Sequence, residues 1–136
     1  MSSASSMTSI GRRGITAAGA PPAVGPYTHA VLHGDTLYCS GALPLDPATG
    51  AVADESLAAE TEQCLRNLTA VCEEAGTSLD QALRLTIYTT RLDGFAEINE
   101  AYGAFFPADP PARVTVGVAA LPKDVRVEID AVVAVS

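Results

Sequence analysis

The last stretch of the chain, Val125 to Val135, alternates strictly, and the alternation leaves apolar side chains on both of its sides. Val125, Val127, Ile129, Ala131, Val133 and Val135 share one face, while Arg126, Glu128, Asp130, Val132 and Ala134 share the other. A strand of this kind needs a covering layer over its first face. Its second face begins charged and ends apolar, so it needs a cover of its own.

Two helical segments can supply the first cover. From Ser56 the apolar period changes to about 3.6, with Leu57, Thr61, Cys64, Leu65, Leu68, Val71, Cys72 and Ala75 on one side and Glu60, Glu62, Arg66, Asn67, Glu73 and Glu74 opposite. Asp54 or Ser56 can accept from the first free amides, and Gly76 can close the end. A second helix is expected from Asp93 to Pro107, with Phe95, Ile98, Tyr102, Phe105 and Phe106 as its stripe and Asn99 inside that stripe. The remaining patterns are strands. Ala30 to His33 and Thr36 to Ser40 flank the hairpin signal Gly34-Asp35, Leu83, Leu85 and Ile87 alternate with Arg84, Thr86 and Tyr88, and Arg113 to Val118 alternates as well. A further strand around Ile15 to Ala18 is a candidate. The order predicts a single α+β domain, a mixed sheet with both helices on one face. Nothing within one chain is left to cover the second face, so self-association is expected.

A chain of 136 residues, 48% hydrophobic, supports one core, read as residues 15–136 behind a disordered tail at 1–14. The formal charge of −8 repels a phosphate backbone, so no nucleic-acid partner is expected. Cys39, Cys64 and Cys72 form no C-x-x-C pair and have no metal-ligand spacing to His29 and His33, so they read as reduced, packed residues and no metal is expected. No apolar run reaches the roughly 18 residues of a membrane span, and the Ser-rich start lacks the apolar segment of a signal peptide. No membrane partner is expected, and the location is read as cytoplasmic.

Five places could carry chemistry. Arg113 opens a strand straight after Pro110-Pro111-Ala112, where a planar guanidinium suits two-pronged capture of a carboxylate; an ordinary ion-paired arginine is the alternative. Glu128, on the partly apolar face of the last strand, could hold a water as base or donate a proton if burial raises its pKa, or could simply be solvated. Asn99 must find partners on its apolar stripe, either structural or from a ligand. Tyr27, after Gly25-Pro26, could pack or reach a neighbouring surface. Gly41, after Ser40 at a strand end, lets the backbone approach something closely or marks a bulge.

In this order, these residues resemble the RidA/YjgF family, the reactive intermediate deaminases. The likeness is carried by APPAVGPYTHAV from Ala20, LYCSGALPLDPATG from Leu37, GFAEINEAYGAFF from Gly94 and PPARVTVGVAALPKDVRVEIDAVV from Pro110, and it spans about residues 15 to 135. The resemblance implies a fold like that of one class of chorismate mutase, a barrel-like homotrimer and clefts between its subunits. It also implies hydrolysis of reactive enamine and imine acids, such as 2-aminoacrylate, to 2-oxo acids and ammonia, without a cofactor. By position, Arg113 would grip the substrate carboxylate, Glu128 would position the attacking water and Tyr27 would line the cleft, with Asn99, Gly41 and the backbone at Thr115 near the ligand. Ala42 stands where the family commonly has glutamine, Gly117 where a polar side chain is usual, and Thr115 where cysteine is frequent. The alternatives are a non-catalytic trimer binding a small carboxylate, a biosynthetic enzyme of the same fold taking a larger imine, and RNA cleavage, which the charge disfavours.

Overall fold

The computed structural model describes residues 11–135. Its strands are β1 (Arg12–Ile15), β2 (Ala30–His33), β3 (Thr36–Ala42), β4 (Ala82–Thr89), β5 (Ala112–Gly117) and β6 (Val127–Ala134), and its helices are α1 (Leu57–Glu74) and α2 (Phe95–Gly103). They form one sheet in the order β1-β2-β3-β6-β4-β5. Neighbours are antiparallel except β4 and β5, which run parallel because α2 carries the chain across between them. The β2–β3 turn needs a residue at positive φ, and Gly34 supplies it at 63°.

One face of the sheet is the core. Leu37, Leu85, Ile87, Val127, Ile129 and Val133 are buried there with Cys64, Leu65, Leu68 and Ile98 from the helices. All three cysteines are free and buried. The opposite face is open: Tyr38, Val114 and Val116 are 51%, 47% and 36% exposed, beside half-buried Val132 and Ala134. No helix among the described residues is long and apolar enough to cross a membrane.

Ser56 caps α1, its hydroxyl accepting from the amide of Ala59 at 2.9 Å. Gly76, at φ 85°, follows the other end. Ser56→Ala should lower stability by about 1 kcal/mol, because an amide loses its acceptor where no neighbouring turn can replace it. A urea titration checks this; an unchanged midpoint would show that water replaces the cap.

Several expectations need correcting. The first strand is Arg12–Ile15 rather than Ile15 to Ala18, so the expected tail to residue 14 gives way to strand from Arg12, while residues 1–10 lie outside those described. Pairing with β2 orders it. Glu60 and Asn67, assigned to the solvent side of α1, are buried, because partners distant in sequence satisfy them. Leu83 is exposed, since the register shifts between Ala82 and Arg84 and turns it out of the alternation. α2 starts later and stops earlier than Asp93 to Pro107, with Leu92–Gly94 forming a 3₁₀ turn before it. Phe95 is exposed and Ala101 takes a buried place on that helix. β6 starts at Val127, although Val125 remains buried in the preceding turn.

Candidate active site

Arg113 is the second residue of β5, just past two prolines that keep the preceding chain out of helix. It pairs with Leu85 of β4, which pairs in turn with Ala131 of β6. Directly paired residues share a face. Leu85 and Ala131 are buried on the core side, so Arg113 belongs to the helix side of the sheet. Its guanidinium carbon lies 4.9 Å from the centroid of the Tyr102 ring and 5.6 Å from that of Phe95, both on α2. Such ring faces attract a cation and hold it in place. None of the ion pairs among the described residues includes Arg113. It borders a cavity of about 400 Å³ shared with Asn99, Tyr102, Phe106, Pro110 and Pro111. Thr115, two residues on, pairs with Ile87 and lies on the same side. A positive fork without a counter-ion at the edge of a cavity suits a carboxylate.

Glu128 pairs with Tyr88, which pairs with Val116, so it belongs to the open side. Between Cys39 and Ala42 β3 carries a bulge, two intervening residues where β6 has one. The bulge brings Gly41 against the Glu128 carboxylate so closely that a Cβ there would overlap it. This is the close approach that the glycine permits. Glu128 borders a second cavity, of about 310 Å³, with Val24, Tyr27, Ser40, Gly41 and Pro122. Burial pushes its carboxyl above the usual range, and the charge of Asp130 on the same face adds to the effect. The Tyr88 hydroxyl donates to Asp130 Oδ2 at 2.9 Å.

The loop bearing Tyr27 is tied down by His29. Its Nδ1 accepts from the Ala17 amide at 3.0 Å, so the proton sits on Nε2, which donates to the Pro21 carbonyl at 2.7 Å. Ser40 Oγ donates to the Thr28 carbonyl at 2.6 Å, and the Tyr27 hydroxyl accepts from the Val24 amide at 3.2 Å. Tyr27, Ser40 and Gly41 therefore meet Glu128 on a braced surface.

The residues expected to form one site thus fall into two groups. Tyr27, Gly41 and Glu128 come together on one cavity, and Arg113 meets Asn99 on the other, with Thr115 on its face of the sheet. The sheet lies between Arg113 and Glu128.

Two supporting residues escaped the sequence reading. The Glu60 carboxylate accepts from Arg126 Nε at 2.6 Å and from the amides of Arg126 and Val127 at 2.8 and 3.2 Å, fixing the start of β6 just before Glu128. Asn67 donates to the carbonyls of Leu43 and Leu45 at 2.9 and 3.0 Å, holding the chain that leaves Gly41. Both carry a readable signal. Glu60 lies three residues after Leu57 and four before Cys64, and Asn67 lies three after Cys64 and four before Val71, which is core spacing.

Comparison with known proteins agrees with this architecture. A family model described as endoribonuclease L-PSP matches residues 17–135. A RutC family protein, y4sK, of Sinorhizobium fredii is 46% identical over 117 residues, covering 86% of this chain and 93% of that one. The human 2-iminobutanoate/2-iminopropanoate deaminase is 39% identical over 126 residues, covering 93% of this chain and 92% of its own. The solved structure of the E. coli YjgF gene product superposes with a TM-score of 0.86 at 39% identity, covering 90% of this chain and 98% of that one.

Proposed function

This chain belongs to the RidA/YjgF family, whose model is described as endoribonuclease L-PSP, and we propose that it hydrolyses 2-imino acids and their enamine tautomers to 2-oxo acids and ammonia. The observation that carries this reading is Arg113, an aromatic-braced guanidinium beside a cavity with no ion-pair partner among the described residues. The human relative's name specifies imine deamination.

An imine carbon is already electrophilic, so catalysis needs orientation and one proton acceptor. The Arg113 fork takes the substrate carboxylate. The Glu128 carboxylate accepts a proton as water adds to the C=N carbon and passes it to nitrogen, giving a neutral tetrahedral adduct; it then takes the proton of the adduct's hydroxyl and delivers it to nitrogen as the C–N bond breaks. Ammonia leaves, and the water oxygen stays as the carbonyl of the 2-oxo acid. No cofactor enters this scheme. The net charge of −8 disfavours RNA as substrate.

Arg113 and Glu128 lie on opposite sides of one sheet, so the reading requires the Arg113 face of one chain to meet the Glu128 face of another. Two different patches in contact can make a head-to-tail interface, which closes into a ring where the rotation between chains closes. The homotrimer implied by the resemblance is such a ring. It would also cover Tyr38, Val114 and Val116.

The test is ammonia release from 2-aminoacrylate generated in the assay by a dehydratase. Wild type should accelerate it, Arg113→Ala should weaken substrate binding severely, and Arg113→Lys should not restore it, since an ammonium lacks the planar fork. Binding of a carboxylate analogue without turnover would replace the enzyme with a binding protein.

A further inference from the structure

Three buried side-chain polar atoms among the described residues have no hydrogen-bond partner: Asn99 Oδ1, the Tyr102 hydroxyl oxygen and Thr115 Oγ1. All three belong to the surroundings of Arg113. Asn99 and Tyr102 are a turn apart on α2 and border its cavity, and Thr115 follows Arg113 on its own face of β5. Unpaired buried polar groups are rare because they lose water and gain nothing, so a cluster beside a cavity points to a polar ligand that pairs with them.

Tyr102 is the member of the three that the site reading leaves without any task. Its ring is explained by packing: it stacks at 4.9 Å on Phe106 and lies 4.9 Å from the Arg113 guanidinium carbon. Phenylalanine would serve both contacts. The residue is 5% exposed, so its hydroxyl is out of water without a partner among the described residues.

We propose that the Tyr102 hydroxyl contacts the substrate, donating a hydrogen bond to a carboxylate oxygen of the 2-imino acid that Arg113 holds. The proposal rests on the reading of Arg113 as the carboxylate grip. Burial raises the phenol's pKa more strongly than Arg113 lowers it, so the hydroxyl keeps its proton and acts as a donor at neutral pH. A charged fork and a neutral donor on the same carboxylate would orient the imine carbon better than a fork alone.

Tyr102→Phe removes the hydroxyl and keeps the ring. The measurements are calorimetric binding of pyruvate, the product from 2-aminoacrylate, steady-state kinetics, and the melting temperature and trimer mass of the unliganded protein. The expected result is about tenfold weaker pyruvate binding and a KM raised by about as much, the loss of one hydrogen bond to a charged group, with kcat within a few-fold of wild type. Melting temperature should stay the same or rise, because no bond is lost without ligand. Unchanged pyruvate affinity and KM would overturn the proposal. A lower melting temperature or a dissociating trimer with unchanged affinity would also overturn it, by assigning the hydroxyl to a neighbouring chain. Arg113→Ala separates the two levels: if it binds pyruvate like wild type, the carboxylate grip itself fails, whereas loss in Arg113→Ala with none in Tyr102→Phe removes only the role of Tyr102.

Discussion

Equal amounts of Arg113→Ala and Glu128→Gln chains, each with little activity alone, should regain about a quarter of wild-type turnover when unfolded and refolded together. Each site in the proposed ring draws its arginine from one chain and its glutamate from the next. In a random mixture half of the arginine positions and half of the glutamate positions are intact, so about one site in four has both. Strand register sets this division: Arg113 shares a face with Leu85 and Ala131, Glu128 shares one with Tyr88 and Val116, and the sheet lies between them. Light scattering of each variant controls for assembly, and simple mixing without unfolding controls for chain exchange. If refolded mixtures of folded trimers gave no more ammonia than the separate variants, Arg113 and Glu128 would not serve one site from two chains.

That division was only partly legible beforehand. The hairpin at Gly34, the Ser56 cap and Gly76 were readable because each is a local matter of dihedrals or a hydrogen bond within a few residues. Glu60 and Asn67 were misplaced because their partners, Arg126 and Leu43, lie far along the chain, and a buried carboxylate looks like a solvated one until its partner is known. Leu83 was misplaced by a bulge, which interrupts alternation without any marked residue. For the site, chain order and motif singled out Arg113, Glu128, Tyr27, Asn99 and Gly41, but alternation within a strand cannot say which face meets which neighbour. Register settles that, and only pairing across β5, β4 and β6 shows Arg113 and Glu128 turned away from each other. The Tyr102 hydroxyl escaped for another reason. In a helical stripe tyrosine reads as a ring, and its unpaired oxygen is visible only in three dimensions.

Glu128→Gln should lower kcat about 100-fold or more while leaving pyruvate affinity and KM near wild type. The amide keeps the shape that fits against Gly41 but cannot take a proton from water, and the proposed carboxylate grip lies elsewhere, on Arg113. The wild-type pH profile follows from the same carboxylate. Because burial first and Asp130 second raise its pKa, the basic form is lost at a higher pH than for an ordinary glutamate. As pH falls, kcat/KM should therefore decline through a midpoint above the usual carboxylate range, and that limb should be missing from the residual activity of Glu128→Gln. Asp130→Asn removes one of the two causes, so its limb should move to lower pH, toward the ordinary value but not fully to it, since burial remains. The Tyr88 hydroxyl that donates to Asp130 has an amide oxygen to donate to in that variant, which keeps the strand face intact. A limb that rises as pH falls would make Glu128 the proton donor instead of the base. A limb unmoved by Asp130→Asn would assign the titration to another group.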